Sequence, residues 1–561
     1  MVTIDETNTW KKVHVVPVMA SGYALLDWIH SGTLSARCTK EPGDQGMSGY
    51  VPNPPKNFRY DEAKPVDIHA RRWAEYEKYG KAPAAAKEKV RVALRIGVFF
   101  DGTLNNASNS ASGLLCGAHH PILPADVDAS CKPYMADPEG SYGNDVSNVS
   151  KLFDLYPESK DVQGAGSVKL ALRSLYVDGI GTSAGTEDSL LNAASGRGAT
   201  GVASKVQQAF ADLKTLVKRV IESNPDSEIT SLTFDTFGFS RGAAAARHFA
   251  NEIVRCKQGP LGEVFRSNPK GFSSSFGSQY NSEIIMGFVG LFDTVPSVAG
   301  FTNMGDIKSP VAPGINLYLD RKYFTDVVQL TARDEHRANF ALSSVVPAHP
   351  EIPLPGVHSD IGGGYREEVE ECVLVSPMQA LTISKGEDIR TTSIYRDALQ
   401  EKAKWIASGW PDAMLEVVTP APSELPVAEQ DRLGGKKVRA YAGLQLKRSV
   451  SGKLSVVSLR LMHKLAKEKG VQFDDVPQTP EYAVPAELQS FCDNVLAGQY
   501  KPSPEEERLL RLKYIHMSAN WNNPIGGSRE RGMKIRYTNA PTDDGVRVRH
   551  PHIADPGWRL F

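Results

Sequence analysis

The sequence has no surplus of charge, little cysteine and no long apolar run. It carries 64 Lys+Arg against 65 Asp+Glu over 561 residues, a formal net charge of -1. That balance lacks the basic footprint of a nucleic-acid binder or a polybasic membrane anchor. The six cysteines (Cys38, Cys116, Cys131, Cys256, Cys372 and Cys492) form no C-x-x-C pair and no compact framework, so reduced thiols are expected and a zinc site is not supported. Nowhere do about twenty apolar residues run uninterrupted, which excludes a spanning helix. The first residues, MVTIDETNTWKK, carry acids in place of a basic start, and Pro17 and Gly22 break the apolar stretch from Val13 to Leu26. A signal peptide is therefore not expected.

What is present reads as an ordinary globular chain, 41% hydrophobic and 23% charged, long enough for two to four units and a large core. Residues 1–90 read as an N-terminal arm, irregular and rich in Pro and Gly, with one short charged helical stretch. At Val90 the texture changes. VRVALRIGVFF is a buried strand that stops at DGTLNN, and SVKLALRSLYVDGIGT reads as a helix or strand followed by a strand end near Asp178. From Gly201, Val202, Val206, Phe210, Leu213, Val217 and Val220 recur at helical spacing. EITSLTFDTFGF, GAAAARHFANEIVR and EIIMGFVGLF then read as strand, helix and strand. This alternation predicts an α/β core over 91–365, with a mainly parallel sheet covered by helices on both faces. Residues 366–561 read as an appended, mainly helical region with a hairpin near GLQLKRSVSGKLSV.

Two G-x-S-x-G segments are candidates for a nucleophile elbow: GTSAG around Ser183 and GFSRG around Ser240. The pattern alone is weak, but an elbow needs a strand before the serine and a helix after it. SLTFDTF and GAAAARHFANEI give Ser240 both, whereas Ser183 is followed by an acidic, glycine-rich stretch with no helix start. A serine hydroxyl needs an imidazole to take its proton and a carboxylate to hold that imidazole. Asp293 in GFVGLFDTVPS falls at the end of the next strand, and His358 in LPGVHSDIGGGY falls in a glycine-flanked loop. The order Ser240, Asp293, His358 is the one an α/β-hydrolase uses. Asp360 is a competing acid or a turn cap, while His336 and His248 are competing bases. Backbone amides of Arg241, after the serine, and of Gly102 and Thr103, in FFDGTLNN, are the candidate oxyanion donors, with Asp101 bracing that loop.

FFDGTL also invites a dehalogenase-type phosphatase, whose D-x-D-G-T motif attacks phosphorus with its first aspartate. Phe99 stands at that position, so the nucleophile is missing. GRGATG at 196–201 matches G-x-G-x-x-G but follows no clear strand and reads as a glycine hinge.

With FFDGTLNN, GFSRG, GLFDTV, GVHSDIGGGY and KYIHMSANWN in this order over about residues 95–522, the chain resembles a bacterial α/β-hydrolase family that includes type VI secretion phospholipase effectors. The resemblance implies a Ser-Asp-His esterase acting on membrane glycerophospholipids in the periplasm of rival bacteria. It also implies delivery on the VgrG spike and a cognate immunity protein in the producer, and it places the family triad on Ser240, Asp293 and His358. No metal or organic cofactor is needed for this chemistry. The segments 257–282, with Phe265, Phe272 and Phe276, and 294–326 are candidate lids over the site; the alternatives are ordinary loops whose aromatics pack on the core and a mouth without a lid. A carboxylesterase or acyltransferase with the same triad, and a non-catalytic component of the secretion machinery, are the alternatives.

Overall fold

The computed structural model describes residues 89–115, 141–159, 168–182, 201–296, 314–425, 435–521 and 539–554. Ser183, the GRGATG segment up to Thr200, the N-terminal arm to residue 88 and Cys38, Cys116 and Cys131 lie outside them. In chain order the first half comprises β1 (Val90–Phe100), α1 (Ala107–Leu115), α2 (Asn148–Leu155), β2 (Val168–Val177), α3 (Val202–Ser223), β3 (Ser227–Phe239) and α4 (Arg241–Val254). It continues through α5 (Leu261–Ser267), β4 (Ile284–Phe292), β5 (Val327–Ala332), β6 (Leu342–Ser343), β7 (Glu351–Leu354) and α6 (His358–Gly362). The second half holds β8 (Val369–Leu374), β9 (Gln379–Ser384), α7 (Ser393–Ala407), β10 (Leu415–Val418), β11 (Ser423–Glu424) and β12 (Lys437–Val450). Then come α8 (Ser455–Glu468), α9 (Gln489–Leu496), α10 (Pro504–Lys513) and β13 (Arg549–His550).

Six strands form one sheet in the order β2-β1-β3-β4-β5-β7, and every neighbouring pair is parallel. All six therefore point their C-terminal ends at one rim, where wound sheets build their sites. Alternate residues of β1 show how the sheet is buried twice. Val92, Leu94, Ile96, Val98 and Phe100 pack with α3, α4 and α5, while Phe99 faces the opposite layer. A parallel sheet apolar on both faces needs a helical layer on each.

That second layer corrects the idea of an appended region. Phe99, Phe237 and Phe288 pack with Leu459, Leu461 and Met462 of α8, with Phe491 and Val495 of α9, and with Leu152 and Phe153 of α2. The C-terminal helices thus cover one face of the central sheet. The helices expected there are present, but so is an antiparallel five-stranded sheet in which β8, β9, β10 and β11 all pair with β12. The expected hairpin is absent. GLQLKRSV is the second half of the single long strand β12, and Ser451 accepts from the Lys453 amide to open the turn that leads into α8.

The candidate lid at 257–282 sits at the far end of the sheet and is an ordinary loop packed on the core. The Ile229 amide, at the start of β3, donates to the Gly271 carbonyl, and the Ser273 amide donates to the Ile229 carbonyl. At about 3.3 Å per residue the loop lies roughly 35 Å from Ser240. Its aromatics pack on one another, with Phe272 and Phe276 ring centres 4.8 Å apart, and against the core. Of the other candidate lid, 297–313 lie outside the described residues, and Leu319 and Phe324 within its second half are buried in the core.

Candidate active site

Ser240 occupies the one-residue turn between β3 and α4, at φ 58 and ψ -125. A non-glycine residue there is strained, and surroundings must hold it. They do so through the backbone: the Ser240 amide donates to the Phe292 carbonyl at 2.9 Å, and its carbonyl accepts from Ala243 at 3.1 Å and Val295 at 3.3 Å. The helix must start hard against the neighbouring strand end. A Cβ on Gly242 would lie 2.2 Å from the Asp101 carbonyl oxygen and 2.3 Å from that of Phe100, so only glycine fits. The bond to Phe292 sets Ser240 beside the end of β4, where Asp293 follows.

Asp293 also has a positive φ, 46, and is fully buried. Its Oδ2 accepts from His358 Nδ1 at 2.5 Å, and its Oδ1 accepts from the Ala332 amide at 2.9 Å. An ionised carboxylate only accepts, so the ring proton sits on Nδ1 and leaves Nε2 as the basic nitrogen. The imidazole is wedged between aromatic rings, 4.6 Å from Phe239 and 4.8 Å from Phe340 between centres. Phe239 is the residue before Ser240, so the elbow itself forms one wall against His358. Structure therefore brings all three expected residues to the same rim.

Electrostatics favour the roles expected of them. Burial lowers the pKa of His358, an effect only partly offset by Asp293, and keeps the imidazole neutral. Burial alone would discourage a charge on Asp293, but Arg547 and His358 outweigh it and hold the carboxyl well below the usual range.

FFDGTLNN is a buried, braced loop against the elbow. Asp101 accepts from the Gly102 amide at 2.7 Å, from Ser147 Oγ at 2.5 Å and from Tyr176 Oη at 2.6 Å. Burial raises its pKa to about 6 against the pull of those donors. This corrects one oxyanion expectation: the Gly102 amide points at its own loop's carboxylate. Gly102 instead provides room, since a Cβ there would lie 2.4 Å from the Phe239 ring. The Thr103 hydroxyl is buried without a hydrogen-bond partner. Arg241 places its amide in the first turn of α4.

Asp360 does not hold His358. Its Oδ2 accepts from the amides of Val357 and His516, each at 3.0 Å, and its Oδ1 accepts from His516 Nδ1 at 2.7 Å. It caps α6 and ties it to the KYIHMSANWN segment. His336 Nδ1 bonds the Asp334 carbonyl and His248 Nδ1 accepts from the Asn316 amide, whereas the ring bonded to Asp293 is that of His358.

Sequence reasoning missed two groups. Glu335, fully buried, accepts from the His358 amide at 3.2 Å and from Arg337 and Ser518; Arg337 outweighs burial and holds its pKa to about 2. Arg547 donates from Nη1 to Asp293 Oδ1 at 2.7 Å and from Nη2 to Oδ2 at 2.8 Å. Its only local signal is the alternation VRVR, which ordinarily marks a strand with exposed arginines. Here Val546 is 64% exposed while the Arg547 side chain is buried. Among the described residues no group of His, Cys, Asp and Glu could hold a metal ion, and no helix is long and apolar enough to cross a membrane.

A six-stranded parallel sheet flanked by helices, with a strained serine at a strand-to-helix turn, is an α/β-hydrolase-type fold. The solved structure of the Tle1 effector bound to the VgrG spike from the type VI secretion system is 30% identical, with a TM-score of 0.63, over 84% of this chain and 96% of that one. The chain belongs to this family of type VI secretion effectors. A crystal structure of an uncharacterized protein from Pseudomonas aeruginosa is 17% identical over 82% of this chain and 57% of that chain, at a TM-score of 0.35, too slight a likeness to carry an argument. No family model and no curated protein matches the sequence.

Proposed function

We propose that the protein is a lipase-type serine hydrolase that cleaves fatty-acyl esters of membrane glycerophospholipids, with phospholipase A chemistry. The observation that carries the reading is the 2.5 Å hydrogen bond from His358 Nδ1 to Asp293 at the rim occupied by the strained Ser240 turn. In this reading Ser240 Oγ attacks the ester carbonyl while His358 Nε2 takes its proton, and His358 then protonates the departing lysolipid oxygen. Water, deprotonated by the same nitrogen, hydrolyses the acyl-enzyme. The Arg241 amide and a donor of Thr103 receive the oxyanion. The VgrG spike seen with the Tle1 relative supports loading of this chain on such a spike. Action in the periplasm of target cells and a cognate immunity protein in the producer belong to the same proposal.

Vesicles of phosphatidylethanolamine and phosphatidylglycerol test the reaction directly. Fatty acid release by the wild type, reduced about 10⁴- to 10⁶-fold in Ser240→Ala at unchanged thermal stability, is expected. Activity on short soluble esters alone would favour a carboxylesterase. Neither activity would leave a non-catalytic role in the secretion machinery.

A further inference from the structure

Arg547 reaches Asp293 from the far end of the chain, on a strap formed by residues 539–554. The strap is bonded along 336–344: the Ala338 amide donates to the Ala540 carbonyl, Thr542 to His336, Leu342 to Val548 and Ser344 to His550. Arg547 Nε donates to the Phe340 carbonyl at 2.8 Å, so the guanidinium is oriented before it meets the carboxylate. Resting on the reading of Ser240, Asp293 and His358 as a triad, we propose that Arg547 is a positioning residue for the triad acid and that the strap serves to deliver it.

A carboxylate offers about four lone-pair sites. On Asp293 all are occupied: Oδ1 by the Ala332 amide and Arg547 Nη1, Oδ2 by His358 Nδ1 and Arg547 Nη2. The two parallel bonds of the guanidinium fork fix the plane of the carboxylate, which a single ammonium could not do. Fixing that plane fixes the imidazole, whose Nδ1 follows Oδ2. The fork also balances a buried negative charge that a neutral imidazole leaves uncompensated. Around His358 the charged groups are Asp293 from the end of β4, Glu335 and Arg337 from the segment after β5, and Arg547 from the strap, with Asp360 on α6 committed to His516. Two carboxylates and two guanidiniums thus face one neutral ring. Removing Arg547 unbalances them and favours the imidazolium.

The test compares full-length wild type with Arg547→Gln, Arg547→Lys and Arg549→Gln, the last breaking only the strap's ion pair with Glu351. Turnover of p-nitrophenyl butyrate is measured against pH, and His358 is titrated by NMR in histidine-labelled protein, a readout that needs no turnover. Arg547→Gln should lower kcat on the order of 100-fold with little change in KM, and raise the His358 titration and the acid limb by roughly one pH unit. Arg547→Lys should keep the limb near its wild-type position but recover kcat only in part. Arg549→Gln should behave as wild type. Arg547→Gln with unchanged kcat and titration overturns the proposal, as does an equal loss in Arg549→Gln with an unshifted profile. If Arg547→Gln does not fold, Arg547→Lys decides: reduced kcat at normal KM supports the fork, and wild-type kcat overturns it. A wild type without esterase activity counts against the triad reading, while the His358 titration still decides whether Arg547 sets the imidazole.

Discussion

Two strained backbones, at Ser240 and Asp293, stand where β3 and β4 end, and the strain is held by hydrogen bonds between those two ends. Such positions persist only when their neighbours over-determine them. Gly242→Ala tests that packing: its methyl would strike the Asp101 carbonyl and push the FFDGTLNN loop from the elbow. We expect esterase activity to fall on the order of 100-fold, with a lower melting temperature; a variant with wild-type activity would show the contact to be dispensable. The pH profile follows from His358. Its pKa is lowered, so the neutral, proton-accepting form persists below the ordinary imidazole value of about 6.5. Activity should therefore rise with pH below about 6.5 and be level through neutrality, measured as kcat/KM on a soluble ester; a limb above that value contradicts the burial argument.

At the scale of elements, α6 is only five residues long and cannot fix His358 by its own hydrogen bonds. Asp360 anchors the helix itself, capping it and pairing with His516 from the segment after α10. Asp360→Asn should cost about 1–3 kcal/mol in urea unfolding, while the acid limb of the activity profile stays in place because Asp293 is the partner of His358. Loss of that limb would make Asp360 the functional acid instead. Strands β1, β3 and β4, α3, the elbow and the order of the three site residues were legible in the sequence, since each rests on local periodicity or a local turn, whereas the short strands β5 and β7 were not. The long strand β12 was not. Its second half, GLQLKRSV, looks like one arm of a hairpin because SGK resembles a turn, and only the pairing of β12 with four other strands shows it to be continuous.

For the molecule as a whole, the C-terminal helices are half of the core layer system. Leu459 of α8 is fully buried against the face carrying Phe99 and Phe237. Leu459→Ala should destabilise the fold by about 2–5 kcal/mol, read from urea denaturation. A chain ended at residue 365 would keep α2 but lose α8 and α9 from that face; we expect it to aggregate in gel filtration, whereas a soluble, cooperatively unfolding product would restore the idea of an independent core. The same dependence links site and terminus, because Asp293 receives its guanidinium from residue 547.

By itself the sequence determined the wound parallel sheet, the rim at which it ends, the serine elbow and the family likeness. These rest on side-chain periodicity, on glycines that sterics demand and on motif order, all of which act within a few residues. The tertiary structure decided which carboxylate holds His358, that the Gly102 amide turns to Asp101, that the 257–282 loop belongs to the opposite end, and that Arg547 clamps Asp293. Those outcomes depend on strand register and on which distant segments share a buried volume, and burial of a charge selects its partner by proximity in space, whatever the separation along the chain.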